Sequence, residues 1–170
     1  MIKISVCDDD EGQLTFFKQC FMEYNEKHKE KIEANFYQSV QSLLNEKKFS
    51  PDVYFLDIEL QDGNGLKLAG KIRTRNSKIP IVFITSHEEF MPEAFHVHAY
   101  QYLNEKKNAQ AVENVLNQLA DYFSEQNQIF SFQTYGEMIS LDCRDIICFT
   151  SEKRKNIVIA ESGEFEYYGK

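Results

Sequence analysis

The chain has 170 residues, a formal net charge of -8 and 42% hydrophobic residues rich in Phe and Tyr. That length allows one ordinary domain plus part of a second, and the composition excludes disordered and collagen-like chains. Acidic residues outnumber basic ones both before and after position 126, which excludes the overall basic excess of a stand-alone nucleic-acid binder.

Ile2, Ile4 and Val6 alternate with Lys3, Ser5 and Cys7 and run into Asp8-Asp9-Asp10, the pattern of a strand ending in an acidic cluster. Leu14, Phe17, Phe21 and Tyr24 recur at helical spacing. Ile32–Tyr37 reads as a second strand, and Ser39 as the N-cap of a helix carrying Val40, Leu43 and Leu44 that Pro51 closes. Val53-Tyr54-Phe55-Leu56 is a continuous apolar run ending at Asp57, as suits a central parallel strand covered on both faces. Gly63-Asn64-Gly65 marks a tight loop before a helix with Leu66, Ala69 and Ile72. Ile81-Val82-Phe83-Ile84 is another apolar run, ending in Thr85-Ser86. A short helix over 88–97, a strand over Tyr100–Leu103 and a helix striped with Val112, Val115, Leu116, Leu119 and Phe123 follow.

Strand and helix alternate about five times in residues 1–125, with connections too long for hairpins, so the expected fold is α/β: a flavodoxin-like, doubly wound, five-stranded parallel sheet. Residues 126–128 read as a linker. From 129 to 170 the texture changes to short β-type runs separated by Tyr135-Gly136-Glu137 and Ser162-Gly163-Glu164, a small antiparallel β region. Lys153-Arg154-Lys155 reads as a solvated turn between two of its strands.

Cys7, Cys20, Cys143 and Cys148 form no C-x-x-C and no Cys/His ligand spacing; the first two read as small core residues. A reducing, cytoplasmic setting is expected, with no signal segment and no membrane span. The four histidines carry no metal or triad spacing and read as surface or capping residues.

In open parallel α/β sheets, sites form at the C-terminal ends of the strands. Here the first strand ends in Asp8-Asp9, the third in Asp57 and the fourth in Thr85-Ser86. Asp8-Asp9 and Thr85-Ser86 each also read as helix caps, and Asp57 as a turn residue; it is the combination on neighbouring strands that points to a site. Converging carboxylates repel unless a cation lies between them, and oxygen-only ligands select a hard ion, Mg2+ above all. A carboxylate beside Mg2+ is a nucleophile toward a phosphoryl group. Thr85 is placed to donate to a phosphoryl oxygen, and the Glu59 backbone carbonyl, two residues beyond Asp57, to reach the metal.

These stretches resemble the response-regulator receiver family: Ile4-Ser5-Val6-Cys7-Asp8-Asp9-Asp10, then Val53 through Gly65 with Leu56-Asp57-Ile58-Glu59 at its centre, then Val82-Phe83-Ile84-Thr85-Ser86. The resemblance implies phosphotransfer from a sensor histidine kinase to Asp57, with Mg2+ on Asp8, Asp9, Asp57 and the Glu59 carbonyl. It further implies that Thr85 follows the phosphoryl group and that Tyr102 is the aromatic switch. Ile139-Ser140-Leu141, Asp145 through Phe149 and Gly163 through Gly169 look like the first part of a LytTR-type DNA-binding domain. That resemblance implies a transcriptional output, a homodimer, and DNA contact through a complete output domain rather than through this stretch alone.

One position departs from the family. Where a Lys usually follows the switch aromatic by three residues, this chain has Glu105, with Lys106 next to it. Near a phosphoryl group carrying about -1.5 to -2, reversing a unit charge at about 4 Å matters by several kcal/mol at an effective dielectric of about 20. Lys106 is the candidate replacement. Two rival readings follow. One is a phosphate-independent receiver used for dimerisation or docking. The other is an Mg2+-dependent phosphatase with Asp57 as nucleophile and Asp62 as the nearby acid/base. The leading reading is not an enzyme beyond self-phosphotransfer and autodephosphorylation.

Overall fold

The computed structural model describes residues 1–85, 88–104, 107–126, 128–134, 136–152 and 155–167, with the backbone alone at 88 and 126. Ser86, His87, Glu105, Lys106, Asn127 of the expected linker, Tyr135, Lys153 and Arg154 therefore lie outside the described residues, as does the 168–170 end.

The chain divides into two compact units, Met1–Asn117 and Gln118–Lys170. The first runs β1 (Ile2–Cys7), α1 (Glu11–Lys27), β2 (Ile32–Tyr37), α2 (Val40–Asn45), β3 (Val53–Asp57), β4 (Glu59–Leu60), β5 (Gly63–Asn64), α3 (Gly65–Arg75), β6 (Ile81–Ile84), α4 (Met91–His96), β7 (Gln101–Leu103) and most of α5 (Ala109–Gln126). Five of the strands form a parallel sheet in the order β2-β1-β3-β6-β7. This is the doubly wound arrangement that the alternation of strands and helices requires. β4 and β5 are a two-residue antiparallel ribbon just after β3, where the sequence reads only a tight loop.

The apolar runs are central for the expected reason. All four residues of β6 are buried, as are four of the five in β3. Successive residues of β3 serve opposite faces. Phe55 meets α1 through edge contacts with Phe17 and Phe21. Leu56 joins Cys7, Leu43, Leu68, Ile72 and Phe83 in a cluster beneath α2 and α3. The first three helices start at a side-chain cap: Asp10 accepts from Gly12 and Gln13 N–H before α1, Ser39 from Ser42 N–H before α2, and Asn64 from Leu66 and Lys67 N–H before α3. The acidic triplet thus divides its work, since Asp10 and not Asp8 or Asp9 caps α1.

α5 runs to Gln126, so the first linker position is helical. The second unit then has a hairpin of β8 (Ile129–Gln133) and β9 (Met138–Asp142) and an antiparallel sheet of β10 (Ile146–Glu152), β11 (Lys155–Ala160) and β12 (Gly163–Tyr167). Gly163, at φ 139, makes the turn between the last two strands in a conformation glycine tolerates. Phe130, Phe132, Phe149, Phe165 and Tyr167 join hairpin and sheet through ring contacts of 5.0–6.0 Å.

All four cysteines are thiols, Cys7 and Cys20 buried and Cys143 and Cys148 exposed. Among the described residues no helix is long and apolar enough to cross a membrane.

Candidate functional site: an acidic cluster at the sheet's C-terminal edge

β1 and β6 flank β3 in the sheet, so the residues that follow or end these strands meet at one edge. Asp8 follows β1, Asp57 ends β3 and Thr85 follows β6. All three are buried, at 0%, 1% and 0% exposure. Asp9 is half-buried. One carboxylate oxygen from each of Asp8, Asp9 and Asp57 lies within 4.8 Å of the others.

Backbone amides hold each carboxylate. Asp10 N–H donates to Asp8 Oδ1 at 2.9 Å, Gln61 N–H to Asp9 Oδ2 at 3.0 Å, and Ile58 N–H to Asp57 Oδ1 at 2.8 Å. The Gln61 bond ties the loop after β3 to the end of β1, which is 52 residues away in sequence. The backbone after Asp57 is held as firmly: Gly65 N–H donates to the Ile58 carbonyl at 2.9 Å. A Cβ on Gly65 would lie 2.0 Å from the Asp57 carbonyl oxygen. Only glycine allows the start of α3 to approach the end of β3 so closely. Gly65, legible in the sequence only as a loop residue, positions the site.

The field of the cluster is felt at Cys7, whose thiol is pushed up to about 12, first by burial and then by Asp62, Asp8, Asp57 and Asp9. The thiol stays protonated and inert at neutral pH. An all-oxygen, closely spaced carboxylate set, with Asp8 and Asp57 buried, fits a hard divalent cation, which offsets the mutual repulsion of the three groups.

The other expected residues sit as follows. Thr85 donates its backbone N–H to the Leu103 carbonyl at 3.0 Å, linking the ends of β6 and β7. Tyr102, half-buried on β7, pairs in register with Phe83 of β6. Glu59 opens β4 with its side chain exposed. Lys106 and Glu105 are outside the described residues.

Asp62 corrects the phosphatase reading. Its two carboxylate oxygens accept from Val40 N–H at 2.9 Å and Gln41 N–H at 3.0 Å, at the start of α2. These amide bonds, that to Gln41 foremost, hold its carboxyl below the usual range. A group anchored as a helix cap and held as the carboxylate is a poor general acid. The histidine reading also sharpens: His28 stacks on Tyr24 with ring centroids 4.0 Å apart, and its Nε2 lies 3.9 Å from Glu113, a neighbour that no sequence spacing announced.

A family model, the response regulator receiver domain, matches residues 4–117. An uncharacterized response regulatory protein of Yersinia pestis is 29% identical over 120 residues, 71% of this chain and 49% of that protein. The sensory transduction protein LytR of Staphylococcus haemolyticus is 32% identical over 111 residues, 65% of this chain and 42% of that protein. The chain thus spans about half, or less, of the length of these curated relatives. Among solved structures, response regulator TrrA of Thermotoga maritima in complex with Mg2+-BeF is similar at a TM-score of 0.60 and 22% identity. That match covers 70% of this chain and 99% of the other.

Proposed function

The chain belongs to the response regulator receiver domain family, and on that premise we propose that it is a two-component response regulator that accepts a phosphoryl group on Asp57 from a sensor histidine kinase. The observation that carries the reading is the meeting of Asp8, Asp9 and Asp57 within 4.8 Å at the edge of the sheet. These three residues, with the Glu59 backbone carbonyl, would hold Mg2+. When bound, the ion supplies positive charge against the phosphoryl oxygens.

The chain's own groups do the rest. Ile58 N–H holds Asp57 Oδ1 at 2.8 Å and so orients the carboxylate that attacks phosphorus. The P–N bond of the phosphohistidine breaks, and its electron pair leaves with the kinase imidazole. The Thr85 hydroxyl donates to a phosphoryl oxygen, and its tie to the end of β7 carries the change toward Tyr102, shifting the balance of two conformations. Lys106 supplies the counter-charge that the family places one residue earlier. The transfer is stoichiometric, and hydrolysis of the aspartyl phosphate resets the protein, so it is not an enzyme for an external substrate.

The second unit is read as the beginning of a LytTR-type output, in line with relatives named LytR. Through a complete domain of this type the protein would bind DNA as a homodimer in the cytoplasm. Incubation with acetyl phosphate and Mg2+, followed by intact mass measurement, tests the reading. A single acid-labile phosphoryl adduct is expected, and its loss in Asp57→Ala. No adduct, or one indifferent to that substitution, overturns it.

Glu105 favours a second reading, a receiver that docks or dimerises without phosphate. It predicts the same oligomeric state with and without beryllofluoride; dimerisation driven by the mimic rejects it.

A further inference from the structure

A cavity of about 550 Å3 opens between α2, the loop that follows it and α3. Leu43 and Ile72 are its buried floor, Leu44 and Tyr54 its walls, and Lys71 and Arg75 stand on its α3 side. Tyr54 precedes Asp57 by three residues on β3, which places the cavity about 10 Å along the strand from the acidic cluster. Its volume falls in the range of small-molecule sites.

The charge around it is unusual for this chain. Between Asp62 and Glu88 the sequence has Lys67, Lys71, Arg73, Arg75 and Lys78 and no Asp or Glu, in a protein of net charge -8. Arg73 is committed to the carbonyls of Ile79, Val97 and His98. Lys67, Lys71 and Arg75 are exposed and recur every four residues, so they share one face of α3. The carboxylate on the lining, Glu46, is turned back on its own loop, accepting from Lys48 N–H at 2.6 Å and Phe49 N–H at 3.3 Å. Tyr54 senses the cationic side: burial and then the Tyr37 phenol push its hydroxyl up, and Arg75 opposes them.

We propose that this cavity binds a small amphipathic carboxylate, its apolar body against Leu43, Leu44 and Tyr54 and its charge held by Lys71 and Arg75. Charge complementarity selects the anion, and the buried floor of Leu43 and Ile72 selects a ligand with an apolar body. The site is separate from Asp57 and needs no phosphoryl group.

Titration of the full chain with decanoate, followed by amide shifts in 1H–15N spectra, tests the proposal. Saturable shifts at Leu44, Tyr54 and Thr74 are expected. Lys71→Gln combined with Arg75→Gln should weaken binding more than about tenfold, because two charge-assisted contacts are lost. Both side chains are exposed, and Thr74→Trp, which fills the cavity mouth, is an independent variant expected to abolish the shifts. Lys29→Gln, away from the cavity, should leave binding unchanged. Equal binding of uncharged decanol, competition by an oligoglutamate peptide, shifts confined to exposed apolar residues of the second unit, or insensitivity to both cavity variants would each overturn it.

Discussion

Gly65→Ala is a sharp test of how the site is built. The added methyl would start 2.0 Å from the Asp57 carbonyl oxygen, 2.9 Å from its carbon and 3.0 Å from Ile58 Cα. Ordinary carbon–oxygen contacts begin near about 3.3 Å, so the start of α3 and the end of β3 must separate by more than about 1 Å. The 2.9 Å bond from Gly65 N–H to the Ile58 carbonyl is then strained or lost. Overpacking costs about 1–3 kcal/mol and the hydrogen bond about 1 kcal/mol, so a net loss of about 3 kcal/mol is expected. Gly70, also in α3, is the internal control. A Cβ there meets nothing within 4 Å, so Gly70→Ala should stabilise by about 0.5–1 kcal/mol through helix propensity. Urea unfolding gives both values, and a parallel Mg2+ titration should show Gly65→Ala alone binding more weakly. Wild-type stability and Mg2+ affinity in Gly65→Ala would refute the close approach and the positioning role drawn from it.

Other outcomes follow from single contacts. Asp62→Ala should lower hydrogen-exchange protection at Val40 and Gln41 without producing or abolishing phosphomonoester turnover, since the carboxylate is a helix cap. Arg73→Ala should cost about 2–4 kcal/mol in thermal unfolding, and Arg73→Lys should recover little, because an ammonium cannot span the carbonyls of Ile79, Val97 and His98. The Cys7 thiol is raised from 9.0 to about 12 in the folded protein, so its contribution to stability is complete below about pH 9 and is lost as pH climbs toward 12. Three pH units correspond to about 4 kcal/mol, and Cys7→Ala should flatten that alkaline decline in pH-dependent urea midpoints; Cys20, raised to about 11, leaves a smaller slope.

The sheet was legible because its central strands are continuous apolar runs. Val53–Leu56 and Ile81–Ile84 carry no alternation, which only strands covered on both faces tolerate, and both lie at the centre of the sheet. The convergence of Asp8, Asp9 and Asp57 was legible for the same reason, since strand order follows from crossover connections. What sequence reading missed are contacts made across long separations by groups that look ordinary in a local window. Asp62 reads as a spare carboxylate until α2 folds over it, and Gly65 as a loop residue until α3 is packed on the end of β3. Asp9 bonds to Gln61 across 52 residues, which no periodicity encodes. The alternative reading of Asp8-Asp9 as a helix cap fails in one respect: backbone geometry gives the cap to Asp10 and leaves Asp8 and Asp9 for the cluster.

Asp57 is the proposed phosphoryl acceptor, and its modification can be located directly. Borohydride reduction after treatment with acetyl phosphate and Mg2+ converts an aspartyl phosphate to homoserine, which peptide mass spectrometry locates. Homoserine is expected at position 57 and nowhere else, dependent on Mg2+ and at a lower yield in Asp8→Asn. Homoserine at another aspartate, or an unmodified peptide spanning 53–60 alongside a phosphorylated chain, would contradict it.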